Sequence, residues 1–271
     1  MPPRKRKVDR DEFLAQIRAI EAFTGPVKTL PNRRDAGQFV ERHSHSRAQL
    51  LYARGGVIMV TSDKGRWMVP PEHALWIPPR VEHSLQMLGA VDTLSIYVTR
   101  ETLPGIPESL RVVEVSNLAR ELIFAAVISE QKAPERFQLI VPLLLDVISS
   151  LPENALGLPS PADPRLAQLC QNFVADPSIG LDIETWAAEM SMSRRTFTRA
   201  FRRETGVSLS TWRQQACLFA ALPRLVAGEP VTTVALSLGY DSIAAFTTMF
   251  KRMLGAPPRA YLNARTAIEE P

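Results

Sequence analysis

Cysteine, long apolar runs and any strong excess of one charge are what this sequence lacks. Only two cysteines occur in 271 residues, Cys170 and Cys217, with no CxxC and no disulfide spacing. A disulfide framework is therefore not expected, and both thiols read as small core hydrophobes of a protein in a reducing, intracellular compartment. The longest nearly unbroken apolar run, Leu139–Leu145, stops at Asp146. That is far short of the ~18–20 residues a spanning helix needs, so no membrane segment is expected. The N-terminal charges are not followed by an apolar stretch, so a secretory signal is not expected either. There is no phosphate loop, no GxSxG, no HExxH and no second acid or base at a clear spacing, which argues against an enzyme. With 45% apolar and 22% charged residues the chain is neither mainly disordered nor collagen-like.

The net charge of +4 permits a nucleic-acid partner without establishing one. Part of it sits at the start, where PPRKRKV carries Arg4, Lys5, Arg6 and Lys7. Such a run reads as a solvated basic arm or as a nuclear-import signal. A short helix is expected over Phe13–Phe23. Residues 38–100 read as β. Short runs recur at Gln49–Tyr52, Val57–Thr61, Arg66–Val69, Ala74–Ile77, Ser84–Leu88 and Thr93–Val98, with Gly- and Pro-containing turns between them. Closely spaced strands of this kind imply a sandwich or barrel.

The period then changes. Leu118–Glu130 and Glu135–Leu151 place apolar residues at helical spacing, with Pro142 inside the second. Either both helices simply pack on the barrel, or the second apolar face that remains pairs with another chain. The following segment LPENALGLPSPADP holds four prolines and a glycine and reads as a linker.

Beyond it one pattern occurs twice. Ser193, Phe197, Phe201, Arg203, Gly206 and Trp212 are matched by Ser242, Phe246, Phe250, Arg252, Gly255 and Tyr261, every pair 49 residues apart. Each serine is suited to cap a helix, each phenylalanine pair at i,i+4 makes one buried stripe, and each glycine ends the helix by taking positive φ. A short helix precedes each serine, at Ile183–Met190 with Asp182 as cap, and at Thr232–Leu238. Helix, tight turn and capped second helix make a helix-turn-helix. In the first copy Arg194, Arg195, Thr198, Arg199 and Arg202 face outward and are assigned to DNA. In the second the outward residues are Ile243, Ala244, Thr247, Thr248 and Lys251. That surface can touch a thymine methyl or the backbone but lacks long donors for guanine, so the first copy is expected to supply more base specificity.

The segments MSRRTFTRAFRRETGVSLSTWRQQ (192–215) and VALSLGYDSIAAFTTMFKRMLGAPPRAY (234–261) closely resemble the AraC/XylS family of bacterial transcription regulators. The resemblance covers about Pro164–Ala264. It implies two helix-turn-helix units joined by a long helix, here about Leu209–Ala227, and entering successive major grooves. Cys217 stands where relatives commonly carry Arg, and Pro223 falls inside the connecting helix.

All four histidines lie between residues 43 and 83. His43 and His45 share one face if they lie on a strand, and Gln49 shares that parity. His43, His45 and Gln49 with Gly55 or Gly56, and Pro78 with Arg80 and His83, resemble the two cupin motifs. In cupins the corresponding histidines and acid hold a divalent metal, so the resemblance implies a site for Zn, Fe, Ni or Mn at His43, His45, Gln49 and His83. Here Gln49 replaces the usual Glu and Arg80 the usual Gly. The alternative is a metal-free pocket of hydrogen-bonded histidines. His73 is expected in a loop, and Trp67 and Trp76 either line an effector pocket or are plain core.

The sequence thus implies an α+β multidomain protein. A basic arm and short helix (1–30) precede a cupin-like β-barrel (31–112), a helical dimerisation segment (113–151), a linker (152–164) and an all-α double helix-turn-helix domain (165–265). The expected protein is a cytoplasmic, nucleoid-associated bacterial regulator. It binds double-stranded DNA as a homodimer, answers to a small-molecule or metal effector, and has RNA polymerase as a possible partner. The rival reading is a metal-dependent cupin dioxygenase or isomerase fused to a DNA-binding module.

Overall fold

A computed structural model describes residues 6–103, 107–154, 156–180 and 182–266. The chain divides into two compact units, residues 1–63 with 67–156, and residues 64–66 with 157–271.

The first unit opens with β1 (Arg6–Lys7) and α1 (Arg10–Ala22), then runs β2 (Val27–Arg34), β3 (Gln38–His43), β4 (Ala48–Ala53), β5 (Val57–Ser62), β6 (Gly65–Val69), β7 (His73–Ile77), β8 (His83–Leu88), β9 (Val91–Val98) and β10 (Arg111–Glu114). Two helices follow, α2 (Asn117–Lys132) and α3 (Pro134–Ser149), and then β11 (Glu153–Asn154). One sheet runs β1-β3-β8-β5-β6, and the other β11-β10-β7-β4-β9-β2. β1 pairs parallel with β3, whereas β3 with β8, β8 with β5, and each neighbouring pair of the second sheet run antiparallel. This is a β-sandwich, one of the two architectures that the strand spacing implied.

The second sheet is covered on both faces, which explains why β4 is apolar almost throughout. Ala48, Leu50 and Tyr52 pack with Ile123 and Ala126 of α2 and Leu144 and Ile148 of α3. Gln49, Leu51 and Ala53 alternate with them and so point to the opposite face. Helix α2 is pinned to β2 by Glu130, whose carboxylate accepts from Lys28 Nζ (2.9 Å), Thr29 N (3.0 Å) and the Thr29 hydroxyl.

Several boundaries differ from the sequence reading. The expected basic arm is partly sheet: Arg6–Lys7 form β1, and Lys7 Nζ bonds Glu41 (2.6 Å). Arg4 and Lys5 lie outside the described residues. The long strands of the sandwich begin at Val27 rather than residue 31, and β2 runs through Pro31. An edge strand tolerates that residue since one side of it needs no ladder N–H. His73 opens β7 instead of lying in a loop. The proline-rich 152–164 segment is not a free linker: β11 pairs with β10, and β12 (Gly157–Pro159) lies in the second unit, where Pro159 O accepts from Trp212 Nε1 (3.0 Å).

The second unit is otherwise helical: α4 (Pro164–Ala175), α5 (Ile183–Glu189), α6 (Arg194–Thr205), α7 (Leu209–Val226), α8 (Val231–Ser237), α9 (Ile243–Leu254) and α10 (Pro258–Thr266). Its first half is built on five rings, Phe173, Trp186, Phe197, Phe201 and Trp212, with centroids 5.7–6.3 Å apart. Edge-on and tilted contacts of this kind add to the area they bury. Cys170 and Cys217 are buried free thiols, and burial pushes both up to about 12, in keeping with a packing role. No helix among the described residues is long and apolar enough to cross a membrane.

Candidate functional site

The two copies of the repeat fold alike. Ser193 Oγ accepts from Thr196 N at the start of α6, and Ser242 Oγ accepts from Ala245 N at the start of α9. Gly206 and Gly255 end those helices at φ of 77° and 78°. Phe197, Phe201, Phe246 and Phe250 are buried. With one stripe fixed inward, the opposite side of each helix must face out.

On α6 that outer side holds Arg194, Arg195, Thr198, Arg199 and Arg202, all exposed. They are not equivalent. Arg194 donates to Glu184 of α5 (2.8 Å), so its charge is already paired. Thr198 Oγ1 donates to Arg194 O (2.8 Å). Among the described residues Arg195, Arg199 and Arg202 form no ion pair within the protein and remain available to an external anion or base. On α9, Ile243, Ala244, Thr248 and Lys251 are exposed and Thr247 is half-buried.

The second cluster lies between the sheets of the first unit. His43 of β3 and His83 of β8 are cross-strand partners next to a bulge, with ring centroids 4.2 Å apart. His45 stands 5.3 Å from His83 and 6.3 Å from His43. It lies past the end of β3, not on the strand with His43 as expected, because the chain turns there and Arg80 N donates to His45 O (2.8 Å). Arg80 holds φ of 61°, a left-handed conformation that favours glycine, which is the residue its motif normally has at that place.

Each of the three imidazoles is oriented the same way. Nδ1 donates to a main-chain carbonyl: Glu41 O (2.9 Å) for His43, Arg47 O (2.6 Å) for His45 and Val81 O (2.9 Å) for His83. That fixes the tautomer with the lone pair on Nε2. His45 Nε2 lies 3.0 Å from the Gln49 side-chain amide; since that nitrogen holds the lone pair, the amide turns its NH2 to donate to the ring, and its oxygen then accepts from the Ser95 hydroxyl (2.9 Å) on the neighbouring strand. His83 Nε2 is buried and has no hydrogen-bond partner among the described residues. Burial, with His45 close by, lowers His43 to about 4. Burial, reinforced by His43 and His45, lowers His83 to about 3, and burial also lowers His45. The cluster is therefore neutral at ordinary pH. Among the described residues no group of three or more His, Cys, Asp or Glu is placed to hold a metal ion.

A cavity of about 560 Å³ opens beside His45, lined by Glu21, Ser46, Arg47, Arg80, Arg100 and Glu108 among others. Trp67 is buried in the core. Trp76 donates from Nε1 to Pro107 O (3.1 Å) and borders only a crevice of about 50 Å³. The cavity's polar wall was not foreseen. Its residues come from four separate loops and elements, and no short-range spacing marks them.

Residues 186–264 match the family described as helix-turn-helix domain, and residues 28–147 match the AraC-like ligand binding domain. The HTH-type transcriptional regulator NimR of Escherichia coli (strain K12) is 34% identical over 228 residues, 83% of each chain. The chain belongs to the AraC family of transcriptional regulators. It is a DNA-binding regulator with a ligand-binding domain. The arabinose operon regulatory protein of the same strain is 29% identical over 139 residues, 49% of this chain and 44% of that one. Among solved structures, the DNA-binding domain of AdpA in complex with a target DNA is 34% identical (39% of this chain, 96% of that chain, TM-score 0.37). Unsaturated fatty acid-bound ToxT from Vibrio cholerae is 10% identical (91% and 98%, TM-score 0.37).

The histidine cluster gives this regulator a defined acid response. The folded imidazoles titrate below their ordinary value of 6.5, so between about pH 6.5 and pH 4 the unfolded chain binds more protons than the folded one. Stability is full above pH ~6.5 and falls as the pH drops, by up to about 1.4 kcal/mol per pH unit for each histidine. Thermal melts from about pH 7.5 to pH 4.5 should show the ligand-binding domain losing Tm over this window, with a shallower slope in His43→Gln. A slope unchanged by that substitution would refute the assignment.

Proposed function

We propose that this regulator reads a specific operator with α6 and α9 in successive major grooves, about 34 Å apart along the duplex, under the control of an effector held in the first unit. The observation that carries the DNA reading is the outward set Arg195, Arg199 and Arg202 on α6, with no ion pair among the described residues. Arg195 and Arg199 are the base readers, since guanine offers O6 and N7 to a bidentate guanidinium. Arg202 and Lys251 contact phosphate, and Arg194 is held by Glu184. The effector site is the cavity beside His45, whose mixture of guanidinium and carboxylate groups suits a small polar molecule. The regulator works in the bacterial cytoplasm, with RNA polymerase as a further partner. Relatives over most of its length are regulators, which favours this reading over a cupin dioxygenase or isomerase. Arg199→Ala should cost about 1–3 kcal/mol on a selected operator and relax specificity at one position. An equal loss on every DNA sequence would make Arg199 a phosphate contact.

The regulator pairs with a second copy through α2 and α3. Leu139 and Leu143 are 79% and 48% exposed one turn apart on α3, and Leu118 and Ile128 are exposed on α2. An isologous contact would bury these side chains on both copies. The mass of the full chain in solution should be that of a dimer, and Leu139→Glu with Leu143→Glu should yield monomer. A monomeric wild type at micromolar concentration would refute the pairing.

One observation favours a metal as effector or co-effector. Among the described residues His83 Nε2 is buried without a partner, and all three imidazoles have the anchored Nδ1–H that metal-ligating histidines commonly show. The donors suit a divalent transition ion in kind. Their placement is incomplete, since His45 Nε2 is engaged by Gln49. His43, His45 and His83, with Gln49, would hold the ion. With no carboxylate in the set, it would keep its full charge and attract an anionic effector. Protein purified without a histidine tag should contain Zn, Fe, Ni or Mn by elemental analysis. The pair His43→Ala/His45→Ala should lose it together with the effector response while basal DNA binding persists. Substoichiometric metal that added Zn, Fe, Ni or Mn does not restore would reject the site.

A further inference from the structure

We propose that the two recognition helices read different base chemistries. In this division α6 takes guanine through Arg195 and Arg199, whereas α9 takes the thymine C5-methyl through Ile243, Ala244 and the methyl of Thr248. This rests on the DNA-reading function proposed above and deepens it.

The repeat places the two surfaces in strict correspondence. At the 49-residue offset, Ala244 occupies the position of Arg195 and Thr248 that of Arg199. Both helices start at a serine cap and stop at a left-handed glycine, so these residues stand at the same height on the same side of their helices. Only the outward groups differ.

Thr248 is the informative residue. Its hydroxyl donates to Ala244 O (2.9 Å). A hydroxyl has one proton, and here the helix itself takes it. None is left for guanine O6 or N7 or for thymine O4. What Thr248 offers outward is its methyl group and an acceptor lone pair. Ile243, in the first turn at the border of the Phe246/Phe250 stripe, is nevertheless 44% exposed. Ala244 adds its own methyl. Thr247, half-buried, has only a short hydroxyl, and the first long outward donor is Lys251, about two turns on from Ala244. In the major groove, thymine alone among the four bases carries a methyl group, and apolar side chains recognise it. A methyl-lined first two turns therefore matches thymine, and the same length of α6 matches guanine.

The test starts from duplexes that the full-length protein enriches from a random-sequence pool. Thymine is replaced by uracil, which differs only by lacking the methyl, separately in each groove segment. In the α9 segment each contacted methyl should be worth about fourfold in Kd, from ~0.8 kcal/mol per buried carbon and 1.4 kcal/mol per tenfold. In the α6 segment uracil should be tolerated, while 7-deazaguanine, which lacks the N7 acceptor, should weaken binding. Thr248→Ser keeps the hydroxyl and its bond to Ala244 but removes the methyl. It should bind thymine duplex about fourfold more weakly and lose discrimination against uracil at one position. Thr248→Val keeps the methyl and removes the hydroxyl, and it should retain that discrimination. A loss in Thr248→Val that Thr248→Ser escapes would make the hydroxyl the reader and overturn the proposal. So would equal uracil tolerance in both segments. Failure to enrich any sequence would overturn the DNA-reading function itself, an outcome distinct from enrichment without a methyl effect.

Discussion

The recognition surface depends on the burial of two aromatic rings one turn apart. Phe197 and Phe201 on α6, and Phe246 and Phe250 on α9, are buried. A helix has one rotational degree of freedom about its axis, and burying an i,i+4 pair removes it. Once the rings go in, residues 195, 199 and 202 have only one place to be. The serine caps and the left-handed glycines then fix where each helix begins and ends, so rotation and axial position are both determined by groups that never touch DNA.

In the first unit the corresponding constraint is the accounting of buried polar groups. Three imidazoles between two sheets would be costly if charged or unpaired. The chain meets most of this cost with main chain, by turning each Nδ1–H onto a carbonyl two residues away in sequence. The turn that brings His45 into place is itself held by Arg80 N, from a residue in a conformation unfavourable for any side chain. Strain of about 1 kcal/mol at such a residue persists only where the surroundings determine it. Here it sits between the histidine cluster and the adjoining cavity, where a ligand-binding domain has use for a fixed geometry.

Legibility in the sequence followed the range of the interactions. Each of the six expected strand runs falls on a strand, because its signal is local: a short β-rich run closed by Gly or Pro. The paired helices were legible from their 3.6-residue period. β2 and β10 were missed because they are held by pairing to distant strands, β9 and β7, and one of them carries a proline. The linker was over-read for the same reason, since Pro152 precedes and Pro159 ends short strands, β11 and β12, that no local run of residues marks. The convergence of His43 and His83 was legible from two motifs on separate strands. The cavity beside them was not, because its wall is gathered from loops whose proximity no spacing records.

The two copies of the repeat also separate what packing dictates from what recognition dictates. The positions shared between the copies are caps, a helix-ending glycine, and residues that are buried or border the buried rings, along with one basic residue near each helix end. Packing tolerates few changes of volume, so a duplicated scaffold retains these. The positions that differ, such as Arg195 against Ala244 and Arg199 against Thr248, are exposed and cost the fold little when changed. A repeat of this kind is therefore detected through its interior and specialised through its exterior. Because the interior holds both helices in the same orientation, each exchange of an outward residue changes which base edge is met without changing how the helix is presented to it.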